Sequence, residues 1–193
     1  NSSVQVEECL AVAALAMEDW AAVSRHCDRI AREQPERFDI WLNLAAALIH
    51  QGEAEPAVVA AEQALRLRPS ADAQLNMAFA LHQAGEAERA VGHYRQAIQL
   101  GCTAQAASWN LALLEADAGN AAVAAEMLAA FKAPDADWVR DVQIEKGALL
   151  LALNRGTEAV ACLEVSINQG AEIDSDSRFN LGVAQLRGGQ PAR

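Results

Sequence analysis

Four asparagines recur along the sequence, and the interval between successive asparagines is close to one or two times a unit of 33 to 35 residues. They are Asn43, Asn76, Asn110 and Asn180. A carboxamide both donates and accepts hydrogen bonds, so a row of carboxamides can hold the main chain of an extended peptide whatever its side chains. Asparagine is a mediocre helix former, so its recurrence at one offset indicates more than helix propensity. The alternative is that each asparagine bonds the backbone of a neighbouring unit.

Apolar and acidic side chains accompany the asparagines at fixed offsets. The residues one position before and three positions after each asparagine are apolar, and on a helix these offsets lie one turn apart on one face. Aspartates stand four positions before three of the asparagines and would attract a basic partner. Inter-unit packing is the alternative for the apolar residues, and stabilisation of a helix N-terminus is the alternative for the aspartates. The residues concerned are Leu42, Leu75, Phe79, Trp109, Leu113, Phe179, Asp39 and Asp72.

Two histidines follow the first two asparagines by seven and six residues, at His50 and His82. We predict that they are ordinary polar residues of the same surface. A metal-binding pair is the less favoured alternative, because the sequence fixes no third ligand. The sequence also contains no recognisable catalytic triad and no glycine-rich phosphate loop. It therefore predicts no enzymatic activity, no metal and no cofactor.

The stretch 38–69 is one complete helix-turn-helix unit, and its key residues recur along the chain. Small residues are needed where two antiparallel helices cross, and glycine suits the left-handed residue that ends the first helix. Glu18 and Asn154 replace that glycine in two of the units. The residues that carry the pattern are Trp41, Leu44, Ala45, Leu48, Gly52, Ala57, Ala61, Ala64 and Pro69.

This pattern resembles the tetratricopeptide repeat (TPR) family. The resemblance implies an all-α fold, a right-handed α-solenoid of antiparallel helix pairs with about five and a half repeats. We predict a single TPR domain over residues 1–193. Because the last repeat lacks its second helix, we expect the sequence to be a fragment of a longer chain, or its end to be covered by another molecule. The repeats are predicted at approximately 4–37, 38–70, 71–104, 105–139 and 140–174, with a partial repeat at 175–193.

The resemblance also implies where partners bind. In TPR proteins the first helices line a concave groove, and the asparagines, the apolar residues, the aspartates and the two histidines fall at its ligand-facing positions. The row of asparagines is similar to the asparagine ladder in the TPR superhelix of O-GlcNAc transferases. The two-carboxylate clamp of chaperone-binding TPR proteins is absent, because its first lysine position is apolar here and the nearby aspartates would repel a carboxylate.

Composition narrows the class of partner. The formal net charge is -11 and no basic stripe is present, which argues against nucleic acid and favours a basic partner. The longest apolar run, 9–17, is too short to cross a membrane. Four cysteines without CxxC spacing are expected to be thiols, which favours a cytoplasmic location, although a signal already removed is compatible with the sequence.

The sequence therefore predicts a non-enzymatic scaffold that binds a basic, partly hydrophobic peptide segment of another protein in its concave groove. Two alternatives remain open. The chain could be the substrate-recruiting arm of a larger, glycosyltransferase-like enzyme whose catalytic domain lies beyond Arg193. It could also be a self-assembly module that associates through its C-terminal end.

Overall fold

The computed structural model describes residues 2–130, 136–168 and 175–187, and every regular element in these ranges is an α-helix. The eleven helices of the described ranges alternate with short turns. Their bounds are α1 Ser2–Ala16, α2 Trp20–Glu33, α3 Phe38–Gln51, α4 Ala54–Leu67, α5 Ala71–Gln83, α6 Ala87–Gln99, α7 Gln105–Asp117, α8 Ala121–Ala130, α9 Ala136–Ala152, α10 Gly156–Asn168 and α11 Ser175–Arg187.

The chain divides into two compact units, Asn1–Thr103 and Ala104–Arg193. The first unit contains α1 to α6, in which each helix packs against the next. The second unit contains α7 to α11, and α7 packs on α8, α8 on α9, α9 on α10, and α10 on α11. The prediction of an all-α solenoid built from helix pairs is confirmed, whereas the single domain over the whole chain stays a prediction.

Small residues allow the paired helices to approach closely. Ala45 on α3 and Ala57 on α4 are fully buried, as are Ala78 on α5 and Ala90 on α6. In the second unit a Cβ placed on Gly147 would lie only 2.8 Å from Cγ of Leu163. The residue at this crossing must therefore be small for α9 and α10 to pack as they do.

Left-handed residues end the first helix of the pairs, as the sequence predicts. Gly52 has a φ of 76° and its backbone N–H bonds the carbonyl of Ile49. Glu18 and Asn154, which replace glycine in two units, adopt the same conformation with φ values of 54° and 60°. The fold therefore imposes this conformation even where a side chain makes it unfavourable.

Two details differ from, or lie beyond, the sequence-based expectation. Helix α9 begins at Ala136, inside the range predicted for the preceding repeat. Because proline is not tolerated in the interior of a helix, a helix that begins only after Pro134 is consistent with the sequence. The turn predicted around Gly189 lies outside the described residues.

Each unit has its own core, and a cysteine lies in each. Cys27 on α2 is fully buried in the first unit. Cys162 on α10 is buried in the second unit, in an apolar cluster with Leu150, Leu151 and Leu163. All four cysteines are free thiols, as predicted, and Cys9 is exposed on α1. Within the described residues, no helix is long and apolar enough to cross a membrane.

Candidate functional site

A cleft of about 300 Å³ lies between α1 and α3 in the first unit and contains two of the predicted partner-binding residues, Asn43 and Asp39. Asn43 is half-buried, and its carboxamide makes no hydrogen bond with any described residue. Its donor and acceptor are therefore available to a ligand. The cleft is lined by Glu8, Ala11, Val12, Leu15, Cys27, Arg37, Asp39, Ile40 and Asn43.

Arg37 joins the two carboxylates of this cleft. Its Nε donates to Oδ1 of Asp39 at 2.8 Å and its Nη2 donates to Oδ2 at 2.5 Å, while its Nη1 donates to Oε1 of Glu8 at 2.6 Å. The guanidinium beside Asp39 holds the pKa of that carboxyl below its usual value. Asp39 is thus ion-paired within the protein, and two carboxylates with one guanidinium leave one negative charge in the cleft.

Asp72 keeps its charge available. It is exposed in the first turn of α5, next to the N-cap Ser70, whose hydroxyl accepts from the N–H of Ala73 at 3.2 Å. Among the described residues Asp72 has no ion-pair partner. Its position also suits the alternative role of stabilising a helix N-terminus, and the two roles are compatible.

Asn76 differs from Asn43 because it bonds the neighbouring helix. Its Nδ2 donates to the backbone carbonyl of Leu42 at 3.1 Å, and Gln83 on the same helix donates to the carbonyl of Ile49 at 2.9 Å. Both bonds connect α5 to α3 across 34 residues. For Asn76 the structure therefore shows the alternative role, a bond to the backbone of a neighbouring repeat, and leaves its carbonyl oxygen for other contacts.

The apolar residues predicted on α3 and α5 are only partly exposed. Leu42, Leu75 and Phe79 are all half-buried. The ring of Phe79 meets that of Tyr94 edge-on, with centroids 5.5 Å apart. Phe79 therefore takes part in packing between α5 and α6, and its remaining surface is what a partner could contact.

The two predicted histidines have separate aromatic partners. His50 stacks on Trp20 with ring centroids 4.0 Å apart, and His82 lies edge-on to Tyr94 at 6.4 Å. The part of the chain that the structure describes holds no cluster of three His, Cys, Asp or Glu residues that could bind a metal ion. The histidines are therefore aromatic contacts within the first unit, and a metal pair finds no support in this geometry.

The other predicted residues lie in the second unit. Trp109, Asn110 and Leu113 are half-buried on α7, and the carboxamide of Asn110 makes no hydrogen bond with a described residue. On α11, Asn180 is half-buried and Phe179 is 70% exposed. Like Asn43, Asn110 can therefore offer its carboxamide to a partner.

Glu8 and Arg37 belong to the candidate site but were not predicted from the sequence. Glu8 lies on α1 and Arg37 immediately precedes α3, so they are 29 residues apart in the chain. The only local signal is the spacing of Arg37 and Asp39 at a helix start. Identification of Glu8 required the packing of α1 against the beginning of α3.

Comparison with known proteins agrees with this architecture. Residues 38–70 match the family model described as tetratricopeptide repeat. No curated protein sequence shows significant similarity to the chain. Among solved structures, MamA is 17% identical with a TM-score of 0.73, covering 83% of this chain and 94% of MamA. YrrB, described as a TPR protein with an unusual peptide-binding site, is 15% identical with a TM-score of 0.71, covering 88% of this chain and 86% of YrrB.

An O-GlcNAc transferase of Thermobaculum terrenum is also similar, at 19% identity and a TM-score of 0.58. The match covers 72% of this chain but only 26% of the transferase. At these identities the similarities establish the fold alone. The protein is thus an α-solenoid of helix pairs. It contains a tetratricopeptide repeat at residues 38–70 and has the fold of TPR proteins.

Proposed function

We propose that this protein is a non-enzymatic scaffold that binds a peptide segment of a partner protein on the surface formed by α1, α3 and α5. The observation that carries the proposal is the cleft of about 300 Å³ beside Asn43. Its carboxamide is half-buried and has no described hydrogen-bond partner, so a peptide main chain could satisfy both its donor and its acceptor. TPR scaffolds as a class bind proteins or peptides, which agrees with this role.

The chemistry of this surface favours a basic, partly hydrophobic segment. Glu8, Asp39 and Arg37 together leave one negative charge in the cleft, and Asp72 on α5 adds a carboxylate that has no ion-pair partner among the described residues. The cleft wall includes Val12, which is 65% exposed, and Leu15. A lysine or arginine of the partner would meet the negative charge, and a neighbouring apolar side chain would cover Val12.

Capture of partners on the immobilised protein, followed by mass spectrometry, would supply candidate segments. Synthetic peptides covering each captured protein would then be tested against the wild-type protein and Asn43→Ala. Loss of one or two hydrogen bonds to the peptide main chain should weaken binding by about fivefold or more, by a similar factor for peptides of different sequence.

Asn120→Ala provides a matched control, because Asn120 does not line the cleft. Its Nδ2 donates to Oε2 of Glu115 at 2.9 Å. The Asn120→Ala variant should bind the same peptides as tightly as the parent does. If Asn43→Ala binds every captured peptide with parental affinity, the asparagine does not contact the ligand and the proposed site is wrong. Captured segments that are uniformly acidic would contradict the proposed partner chemistry.

A second candidate function is the substrate-recruiting arm of a larger glycosyltransferase-like enzyme. The structural similarity to the Thermobaculum terrenum transferase favours it, although this likeness concerns the fold alone. The complete open reading frame distinguishes the two functions, since a catalytic domain after Arg193 would support the enzyme arm. A cytoplasmic location likewise stays a prediction, and fractionation of the source cells would test it.

Self-association through α11 is the third candidate. Phe179 and Leu186 are 70% and 71% exposed on this helix, while Ala184 is buried against the second-unit core. We expect the average mass in sedimentation equilibrium to rise with concentration, and Phe179→Ser with Leu186→Ser to abolish the rise. A mass that stays monomeric up to about 100 µM would contradict association through this face, since a dissociation constant above that range corresponds to a binding energy of under about 6 kcal/mol.

A further inference from the structure

A second and larger cleft, of about 500 Å³, lies in the first unit between α2 and α4, with α3 as its floor. Its position relative to the first cleft follows from helix geometry. Successive residues turn by about 100° around a helix, so Trp41 in this cleft and Asn43 in the first cleft point to nearly opposite sides of α3. The cleft is lined by Ser24, Arg25, Asp28, Trp41, Leu44, Leu48, Pro56, Val59 and Ala60.

The cleft opens because one repeat lacks a side chain that its neighbours have. In the repeats on either side, a histidine of the second helix bonds a residue 19 positions earlier on the first helix. His26 contacts Glu7 at 2.5 Å through Nδ1, and the Nδ1–H of His93 donates to Gln74 at 2.7 Å. The corresponding pair in the middle repeat is Trp41 and Ala60. Alanine has no ring to cover the tryptophan, so space remains beside the indole.

The walls of the cleft are largely apolar, and of the polar side chains that line it Ser24, Asp28 and Trp41 are already bonded within the protein. The indole Nε1–H of Trp41 donates to the backbone carbonyl of Pro35 at 2.8 Å, so the indole offers its ring surface to a ligand. Leu44, Leu48 and Val59 complete the apolar lining, and Val59 is 57% exposed at the rim. An apolar side chain of a ligand would therefore be stabilised here by burial against the indole.

One cation at the rim has no counterion among the described residues. Arg25 lines the cleft and forms no ion pair with any residue that the structure describes. The nearby carboxylate of Asp28 is bonded by Arg32 at 2.7 Å. In a chain whose net charge is -11, an arginine beside an apolar cleft with no ion pair to the described residues favours a ligand with a carboxylate.

We propose that this cleft is a second protein-binding site, which takes a partner segment with an aromatic side chain next to an aspartate or glutamate. The aromatic ring occupies the space beside Trp41 that an imidazole fills in the neighbouring repeats. The carboxylate pairs with Arg25 at the rim. The site differs in chemistry from the surface around Asn43, which favours basic segments, and it does not depend on that surface being functional.

Selection of random dodecapeptides displayed on phage tests the proposal. Bound phage would be counter-selected against Ala60→His, which restores the ring that the two neighbouring repeats carry. We expect the peptides that survive to contain an aromatic residue within two positions of an acidic one. Synthetic copies should bind the wild-type protein at least about tenfold more tightly than Ala60→His, because the added ring occupies the pocket.

Two further variants keep the test valid if Ala60→His is poorly folded. Val59→Glu places a negative charge at the rim, which would repel the carboxylate of the ligand, and should also reduce binding at least about tenfold. Val123→Glu, on the exposed surface of α8, should not reduce binding. Arg25→Gln should weaken binding by about two- to fivefold, the range of an exposed ion pair. Arg66→Gln, whose arginine pairs with Glu62 outside the cleft, should leave binding unchanged.

The outcomes separate the elements of the proposal. Selection of no peptide that distinguishes the wild-type protein from both Ala60→His and Val59→Glu would show that the cleft binds no protein segment. Peptides that lack acidic residues and are unaffected by Arg25→Gln would overturn the role of Arg25. Binding that Asn43→Ala abolishes and Val59→Glu leaves intact would place the ligand on the other side of α3.

Discussion

At the scale of single residues, two asparagines at the same repeat position have different roles. The carboxamide of Asn43 lies in a cleft and bonds no residue that the structure describes, whereas Asn76 donates to the carbonyl of Leu42. The difference cannot be read from the residue type or its offset, since both are identical. It depends on whether a backbone carbonyl of the preceding repeat lies within reach of the side chain.

We predict that Asn76→Ala lowers the free energy of unfolding by about 1 kcal/mol and that Asn43→Ala leaves it unchanged. The first change removes an interhelical hydrogen bond and leaves the carbonyl of Leu42 without its donor, and the second removes none. Urea unfolding followed by circular dichroism measures both values. Equal destabilisation by the two substitutions would mean that Asn43 also has a structural partner.

His93 gives the first unit a dependence on pH. Burial, and then the nearby charge of Arg89, lower the pKa of His93, whose Nδ1–H is held by Gln74. A lowered pKa means that the unfolded chain takes up a proton more readily than the folded protein. The stabilising contribution of neutral His93 is therefore complete above its usual pKa of 6.5 and is lost as the pH falls below 6.5 and through the lowered pKa of the folded protein.

We accordingly expect the melting temperature to fall as the pH is lowered from 7.5 to 5.5. The melting temperature of His93→Gln should fall less over the same interval. Differential scanning calorimetry at fixed ionic strength measures the trend. A slope that survives intact in His93→Gln would assign the effect to other groups.

At the scale of helices and turns, the repeat positions impose backbone conformation on unsuitable residues. Glu18 and Asn154 take the left-handed conformation that Gly52 takes at the equivalent turn. A Cβ makes this backbone conformation energetically unfavourable, whereas glycine adopts it without strain. Substitution to glycine should therefore relieve strain without altering the fold.

Glu18→Gly is expected to raise the free energy of unfolding by about 1 kcal/mol, and Gly52→Ala to lower it by a similar amount. Both changes are at exposed turn positions, and a Cβ at Gly52 would meet no atom within 4 Å, so the effect reports backbone conformation rather than packing. Thermal melts of the two variants provide the measurement. Destabilisation by Glu18→Gly would show that contacts of the Glu18 side chain stabilise the fold by more than the left-handed conformation destabilises it.

Much of the fold could be predicted from the sequence because small residues at the helix crossings and residues at the turns recur at a fixed spacing. Ala45, Ala57 and Gly52 illustrate this, since local geometry alone requires their size or conformation. The start of α9 could not be placed, because the repeat spacing loosens near Pro134. The bond between Arg37 and Glu8 and the cleft beside Trp41 escaped prediction for another reason. Both depend on which side chains meet across helices, and not on any one repeat.

At the scale of the whole molecule, the net charge of -11 would speed the approach of a basic partner. Most of the acidic residues near the candidate site are paired, as Asp39 is with Arg37. Asp72 is the exception among the predicted aspartates of the first unit. It is therefore the residue through which charge would act most directly on a bound segment.

We predict that Asp72→Asn slows association with a captured basic peptide about twofold and flattens its dependence on salt, with little change in dissociation. An exposed charge at the rim of a binding surface acts mainly on encounter, and salt screens it. Stopped-flow measurements at several salt concentrations separate the two rates. Asp117→Asn, an exposed aspartate at the end of α7, is the control and should change neither. A faster dissociation in Asp72→Asn would instead indicate a buried ion pair.

Each unit contains one buried thiol, Cys27 or Cys162, whose chemical labelling can report when that unit opens. Burial raises the pKa of Cys27 to about 11 and also raises that of Cys162, so neither reacts readily while its unit is closed. Cys9 is exposed and Cys102 is only half-buried, so these two thiols will be alkylated first. Each later increment of mass under an alkylating reagent then records one unit opening, Cys27 for Asn1–Thr103 and Cys162 for Ala104–Arg193. Digestion of the labelled chain reveals which increment came first, so the order in which the two units open can be measured without introducing a single mutation.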